Sequence, residues 1–97
     1  MTELAVFDRR PFKLEHTRVI GTWIQFYFFH ASPSGKTEVW TVEGANGHEI
    51  GFVYWHAPWR KYAFEPLQRT IFEEKCLREI SLFVRILTKA HKARKAA

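Results

Sequence analysis

The hydrophobic pattern of this chain changes its period once, near residue 70, and this change restricts what the chain can fold into. Before that point, short stretches rich in aromatic and β-branched residues alternate between two sides, as strands do. Beyond it, apolar residues recur every three or four positions, which predicts an amphipathic helix: Phe72, Cys76, Ile80, Phe83, Val84 and Leu87. Strands first and one helix last predict an α+β fold.

The helix is predicted over residues 70–93. Thr70 followed by Glu73 matches a capping box, in which the two side chains satisfy free amides at a helix start. Acidic residues near its start and basic residues near its end suit the helix dipole. Residues 94–97 are expected to form the end of a basic tail.

Residues 12–66 are predicted to form an antiparallel β-meander of three to four strands. Loops rich in Gly, Pro and Ser separate the strands, and Asn46 followed by Gly47 is typical of a tight turn. Residues 1–11, where Pro11 opposes a helix, are expected to be an extended arm or an edge strand. With one long C-terminal helix packed on the sheet, the chain is predicted to be a single domain over residues 1–97. The predicted strands span residues 12–30, 37–43, 48–56 and 59–65.

The predicted sheet has apolar residues on both faces. In its first strand, Ile24 and Phe26 fall on one side, whereas Tyr27 and Phe29 fall on the other. One helix covers one face, so the second face must be solvated, covered by the N-terminal arm or buried against a partner. A homodimer and a bound ligand are both open alternatives.

The net charge of +5 is concentrated in the second half of the chain. Residues 1–50 have a net charge of −1 and residues 51–97 one of +6, and residues 85–97 contain five cations and no acid. A one-sided positive field favours polyanionic partners such as nucleic acid, an anionic membrane or an acidic protein surface. The alternative is a tail that only keeps the chain soluble.

The composition argues against several classes of protein. Cys76 is the single cysteine, so no intrachain disulfide is expected and a cytoplasmic location is the natural prediction. No apolar run approaches the roughly 20 residues that cross a bilayer, and none has the flanks of a signal peptide. The five histidines are scattered without ligand spacing, and no nucleophile motif or phosphate-binding loop occurs. We therefore expect no metal, no cofactor and no enzymatic activity.

Residues 51–66 combine aromatic rings with an Arg-Lys pair beside a turn. Such rings can stack on unpaired bases while cations contact phosphates, which indicates binding to DNA or RNA. The alternative is that Trp55 and Tyr62 belong to the core and that Arg60 and Lys61 are an ordinary solvated pair. The predicted nucleic-acid-binding residues are Trp55, Trp59, Arg60, Lys61, Tyr62, Arg85, Lys89, Lys92 and Lys95.

A protein-interaction role accounts for the same aromatic and basic residues. Trp, Tyr and Arg dominate protein interfaces, so the second hypothesis is a factor that binds another protein. That protein would be a second copy, giving a homodimer, or a host protein that the chain inhibits. A membrane partner is not expected, because the apolar stripe of the helix is needed to cover the sheet.

One segment of the chain also resembles a known group of proteins. Residues 51–66 follow the pattern GxVxWxxxWRKYxFxP, and the sequences TIF (residues 70–72) and CLREI (residues 76–80) come after it. This succession, within residues 49–87, resembles small uncharacterised proteins encoded by phages and prophages. The resemblance implies a bacterial or phage cytosol and an accessory role, either in handling DNA or in blocking a host factor.

Overall fold

The computed structural model describes residues 4–96, which form one six-stranded antiparallel sheet with a single helix across one of its faces. The strands lie in the order of the sequence, as a meander. The α+β class, the meander and the C-terminal helix are thus confirmed, but the predicted count of three to four strands was too low. The elements are β1 (Lys13–Glu15), β2 (Arg18–Ile20), β3 (Ile24–Ala31), β4 (Glu38–Gly44), β5 (Glu49–His56), β6 (Lys61–Pro66) and α1 (Glu74–Ala96), with 3-10 helices at Leu4–Phe7 and Ala57–Trp59.

The miscount arises in residues 12–30, which were predicted as one strand and fold as three. The chain reverses after β1 at His16, whose φ of 61° is in the left-handed region. That conformation is uncommon for a non-glycine residue, so the pattern of side chains gave no sign of the turn. A second reversal at residues 21–23 separates β2 from β3.

The N-terminal segment packs on the helix side of the sheet. Residues 1–3 lie outside the described part, and Leu4–Phe7 forms a 3-10 helix, not the extended arm or edge strand that was predicted. Phe7 is fully buried, and its ring stacks on that of Phe83 with 4.7 Å between centroids. Because this segment lies beside α1, it leaves the opposite face of the sheet uncovered.

The core lies between α1 and the sheet and is centred on the ring of Phe83. This ring stacks on Phe26 with 3.8 Å between centroids and meets the edge of Trp40 at 5.2 Å. All three side chains are fully buried, so truncating Phe83 would remove contacts to both strands and cost about 3–5 kcal/mol. The other large buried side chains include Ile24, Val42, Val53, Tyr62 and Leu87.

The helix begins four residues later than predicted, and the capping box does not form. The hydroxyl of Thr70 donates to the carbonyl of Leu67, so it does not reach the helix. Glu73 caps the helix instead, because its carboxylate accepts a hydrogen bond of 2.8 Å from the amide of Cys76. Hydrogen bonds from the amides of Lys75 and Cys76 hold the pKa of Glu73 below its usual value. The predicted end at residue 93 was also short, since α1 continues to Ala96.

A buried carboxylate fastens α1 to the β2–β3 connection. Glu79 is only 6% exposed, and it accepts hydrogen bonds of 2.8 to 3.0 Å from the amides of Thr22, Trp23 and Ile24. A Cβ at Gly21 would clash with the Oε1 atom of Glu79, so the connection can approach this closely only because residue 21 is glycine. We call Glu79 and these three amides the carboxylate anchor.

Candidate nucleic-acid interface

Three parts of the chain meet at one end of the sheet and line a solvent-open cavity of about 670 Å³. In an antiparallel meander every second connection lies at the same end, so the β3–β4 loop and the β5–β6 turn are neighbours. The C-terminal end of α1 arrives beside them. The cavity is lined by Ser34, Gly35, Lys36, Thr37, Trp55, Ala57, Arg60, His91, Arg94 and Lys95.

The lining of this cavity, which we call the basic cavity, is positively charged. It contains four cations from three separate elements, and no Asp or Glu is part of the described lining: the cations are Lys36, Arg60, Arg94 and Lys95. A concave wall with charges of one sign concentrates the electrostatic field, so the cavity is expected to attract anions.

Two aromatic rings form the inner wall of the basic cavity. The ring of Trp55 lies against that of His91 with 4.5 Å between centroids, and it meets the edge of Tyr62 at 5.5 Å. Burial, together with the positive charges of Arg94 and Lys95, holds the pKa of His91 below its ordinary value. The imidazole is therefore expected to be neutral at neutral pH in the absence of an anion.

Arg60 reaches the cavity from a backbone conformation that arginine rarely adopts. It follows the 3-10 helix of the β5–β6 turn with φ and ψ of 54° and 47°, in the left-handed region. Its amide donates to the carbonyls of His56 and Ala57 at 3.0 and 3.1 Å, which fixes the turn. Glycine would occupy this position with less strain, so the arginine side chain is present here at some cost in stability.

The β3–β4 loop is held by its own serine hydroxyls. The amides of Lys36 and Thr37 donate to the hydroxyls of Ser34 and Ser32, both at 3.2 Å. Gly35 supplies the positive φ of 74° that this reversal requires. These contacts order the backbone on either side of Lys36, which therefore lies at a defined edge of the cavity.

The structure brings together three of the nine predicted site residues: Trp55, Arg60 and Lys95 all line the basic cavity. Trp59 and Lys61 lie beside it but do not line it. Trp59 is 66% exposed and rests on the ring of His56 at 4.4 Å, so its outer face is accessible to a ligand. Lys61 is exposed at the start of β6.

Tyr62 is removed from the predicted site by its burial. Only 1% of the residue is exposed, and its hydroxyl accepts a hydrogen bond of 3.0 Å from the amide of Glu38. Burial raises the pKa of this phenol, with the charges of Glu38 and Arg94 acting on it in opposite directions. A ring enclosed in this way cannot stack on a base, so the prediction for Tyr62 was wrong and the core alternative holds.

The remaining three predicted residues lie on a different surface. Arg85, Lys89 and Lys92 are exposed and follow one another at intervals of four and three residues, so they share one stripe of α1. The buried residues of α1, such as Phe83 and Leu87, occupy the opposite side. This outer stripe therefore points away from the sheet and does not line the basic cavity.

Sequence reasoning missed Lys36, His91 and Arg94 as residues of the cavity. Lys36 could have been found, because the alternation of turns in a meander places the β3–β4 loop beside the β5–β6 turn. His91 and Arg94 could not be assigned without the rotation of α1 on the sheet. Arg94 follows His91 by three residues and Lys95 follows it by four, so all three face one side of the helix.

The described part of the chain also bears on metal binding, thiol chemistry and membrane insertion. Within residues 4–96 no three His, Cys, Asp or Glu side chains cluster as a metal ion would require. Burial and the neighbouring Glu73 raise the pKa of the Cys76 thiol, which lowers its thiolate fraction at neutral pH. Over the same residues, no helix has both the length and the apolar composition to cross a membrane.

No related protein is available to assign a function to the basic cavity. No protein-family model, curated protein or solved structure matches this chain. The resemblance to phage and prophage proteins therefore stays a prediction. Any function proposed for the chain has to come from the shape, charge and exposure of its own residues.

Proposed function

We propose that this chain is a small, non-enzymatic nucleic-acid-binding module and that the basic cavity is its binding site. One observation carries the proposal: cations from three separate elements line one cavity whose inner wall contains Trp55. Cations supply contacts to phosphate, and a tryptophan ring supplies a surface on which a base can stack. The absence of carboxylates from the described lining means that a phosphate entering it meets no like charge there.

The shape of the cavity favours a single strand over a duplex. A volume of about 670 Å³ lies within the range of small-molecule sites, so it can hold one or two nucleotides but not a double helix. A base can reach the ring of Trp55 only when it is unstacked from its neighbours. Stacking of one base on an aromatic side chain contributes about 1–3 kcal/mol, and each cation adds a salt-dependent contact to phosphate.

Trp59 extends the same surface beyond the cavity. It lies next to Arg60 in the sequence, and its ring is largely exposed on the β5–β6 turn. A strand that leaves the cavity past Arg60 would meet this ring next. Trp59 is therefore proposed as a second stacking position, while the outer stripe of Arg85, Lys89 and Lys92 does not line the cavity.

The phage or prophage origin and the cytoplasmic location belong to the same proposal. A module of this kind would act as an accessory factor on single-stranded DNA or RNA in an infected or lysogenic cell. The protein-interaction hypothesis, which rests on the same aromatic and basic residues, is the alternative function.

Fluorescence-anisotropy titration with labelled single-stranded and double-stranded oligonucleotides across a salt series tests the proposal. We expect the single strand to bind more tightly, with log K falling against log salt at a slope of about −2 to −3 for three or four phosphate contacts. No binding at low salt, or tighter binding of the duplex, would contradict the proposal.

Variants locate the site in the same assay. Arg60→Ala and Lys95→Ala are expected to weaken binding about five- to tenfold each and to reduce the salt slope by about one phosphate contact. Lys89→Ala is the matched control, because it removes an equal charge from the outer stripe and is expected to change affinity less than twofold. A larger loss for Lys89→Ala than for Lys95→Ala would move the site from the cavity to the outer stripe.

A further inference from the structure

The face of the sheet opposite α1, which we call the open face, is uncovered over residues 4–96. Neither the N-terminal segment nor α1 reaches it, since both pack on the other side. Its central positions are aromatic, and Phe29 is 58% exposed there beside Phe52, with 6.3 Å between ring centroids. Exposed rings on an uncovered sheet face indicate that the face meets a partner.

One row of side chains crosses the open face at right angles to the strands. The registers pair Arg18 with Tyr27, Tyr27 with Thr41, Thr41 with Phe52, and Phe52 with Glu65. Residues directly opposite one another in a sheet share a face, so these five side chains form a continuous line. The line runs from the cation Arg18 on β2, through one aromatic ring on each side of Thr41, to the carboxylate of Glu65 on β6. The edge strand β1 adds one more carboxylate, that of Glu15, beside Arg18.

This row is complementary to itself when it is turned around its centre. We propose that a second copy of the chain packs on the open face, about a two-fold axis that runs parallel to the strands and passes through Thr41. The rotation places Arg18 opposite Glu65 of the partner subunit and Tyr27 opposite Phe52 of the partner subunit. A two-fold axis perpendicular to the strands would instead set Arg18 against its own copy, which like charges disfavour.

Both charged ends of the row are already ordered within one protomer. The guanidinium of Arg18 lies over the ring of Tyr27, 4.6 Å from its centroid. At the other end, the hydroxyl of Tyr54 donates a hydrogen bond of 2.7 Å to the carboxylate of Glu65. Side chains held in place before association lose less conformational entropy when they pair across an interface.

The charges on the open face favour a protein partner over nucleic acid. Four carboxylates on this side, those of Glu15, Glu43, Glu49 and Glu65, accompany the cations Lys13, Arg18 and Lys61. A polyanion laid across the sheet would meet these carboxylates, unlike one in the basic cavity. The two surfaces are therefore chemically distinct, and the dimer does not depend on the proposed nucleic-acid site.

The open face is large enough for a specific interface. At about 4.8 Å between strands and about 3.3 Å per residue, β2–β6 span a flat area of about 500 Å². Two such faces bury about 1,000 Å² together, which is about the smallest area of a specific interface, and side chains that project from the sheet increase that area.

Sedimentation equilibrium of the full chain over about 1–500 µM tests the dimer. We expect a monomer–dimer equilibrium in which Arg18→Glu and Glu65→Arg each raise the dissociation constant about tenfold or more. The double variant restores the opposite charges in reversed order and is expected to return to within about threefold of the wild-type value. A wild-type chain that stays monomeric, or single variants that dimerise normally, would overturn the proposal, as would a double variant no better than the singles.

Two further variants make the test independent of general charge effects. Arg85→Glu makes the same charge reversal on the far side of α1 and is expected to leave the dissociation constant unchanged; a loss equal to that of Arg18→Glu would overturn the proposal. Glu43 lies on β4 two residues from Thr41, so the axis sets it against Glu43 of the partner subunit. Glu43→Gln should therefore tighten the dimer about two- to fivefold, and weaker association in this variant would contradict the axis.

Circular dichroism separates a loss of association from a loss of folding. Arg18, Glu43 and Glu65 are all on the solvent side of the strands, so variants at these positions are expected to keep the wild-type spectrum. For a variant that does not, Arg18→Gln or Glu65→Gln replaces it, with an expected weakening of about threefold. An unchanged dissociation constant in these milder variants would also contradict the proposal that this row forms the dimer interface.

Discussion

The two ends of α1 handle charge in opposite ways. Near its start, the carboxylate of Glu79 is buried and receives three backbone hydrogen bonds. Near its end, Arg94 and Lys95 turn towards a cavity that already contains Lys36 and Arg60. The first arrangement satisfies a charge within the protein, and the second gathers charges of one sign where solvent can reach them.

On our proposal, this difference separates charges that stabilise the fold from charges that bind a ligand. A buried carboxylate with three amide donors lowers the free energy of the folded chain, and its removal leaves donors without acceptors. The cations that line the cavity come from three elements and share one sign, so an anionic ligand would stabilise their arrangement. Substitutions at the anchor should therefore change stability, and substitutions at the cavity should change binding.

Removal of the anchor carboxylate is expected to have the largest effect. Glu79→Ala leaves the amides of Thr22, Trp23 and Ile24 without their acceptor and should lower the free energy of unfolding by about 3–5 kcal/mol. Urea denaturation measures this change. Glu74→Ala on the same helix is the control, because its exposed ion pair with Arg78 contributes about 0.5 kcal/mol or less. Similar losses in both variants would show that the three hydrogen bonds contribute no more to stability than the exposed ion pair does.

A smaller loss is expected when the anchor is displaced without removing its charge. The added methyl group in Gly21→Ala occupies the position of the Glu79 carboxylate, which must move away from at least one amide. We expect a loss of about 1–3 kcal/mol in the free energy of unfolding. If Gly21→Ala costs little stability in the Glu79→Ala background, the clash with Glu79 is confirmed as the cause of the loss. Equal costs in both backgrounds would exclude this cause.

At the opposite end of the helix, the same kind of substitution should leave stability unchanged and weaken binding. Lys36→Ala removes a cation from the β3–β4 loop and should reduce affinity for a single-stranded oligonucleotide about three- to fivefold, or about 1 kcal/mol. Its free energy of unfolding should match that of the wild type, because its side chain is exposed. If Lys36→Ala were destabilised while its affinity for the oligonucleotide stayed unchanged, Lys36 would contribute to stability and not to binding, contrary to the comparison.

Arg60 tests the comparison at a single residue. Arg60→Gly relieves the left-handed backbone and should raise the free energy of unfolding by about 0.5–1 kcal/mol, whereas Arg60→Ala should leave it nearly unchanged. Both variants lack the cation, so both should bind an oligonucleotide equally weakly. Parallel thermal denaturation and anisotropy titration give the two quantities, and wild-type affinity in either variant would show that Arg60 serves only the turn.

The smallest effect expected is a pH dependence from His91. Because its pKa is lowered in the folded chain, the unfolded chain binds the proton more readily, and stability should fall as the pH drops below about 6.5. A bound oligonucleotide should raise the pKa of His91 and reduce this loss. Proton NMR titration of the imidazole, with and without oligonucleotide, measures the pKa directly. An unchanged pKa on binding would place the phosphates away from His91.

The helix and the alternation of the central strands were predictable from the sequence because both follow from local periodicity. Trp40 and Val42 face the helix while Thr41 faces the open side, as the alternation of β4 required. The turn at His16 was not predictable, since residues 13–20 contain none of the Gly, Pro, Asn or Asp residues that mark most reversals of the chain. The turn beside Arg60 was predicted, but the left-handed backbone of this residue became visible only in the structure.

The carboxylate anchor could not have been predicted, because it joins residues more than fifty positions apart. Glu79 follows the helical pattern as one more acidic residue, and nothing nearby in the sequence indicates that it is buried. Part of the lining of the cavity was predictable, because the sequence shows Trp55 and Arg60 beside a turn and a basic end of the helix. The other half required knowing which sequence-distant connections share an end of the sheet and how α1 is rotated upon it.

The order of the strands has a consequence for how the chain folds as it is synthesised. Each strand pairs with the one before it, so the sheet can form progressively through contacts between neighbouring segments, which favours rapid folding. The helix that covers the core is made after all six strands. A chain that stops before residue 74 would present Phe26, Trp40 and Val53 to solvent on one side and the aromatic rings of the open face on the other. Such a fragment would aggregate readily, so the chain escapes this hazard only when α1 has been made.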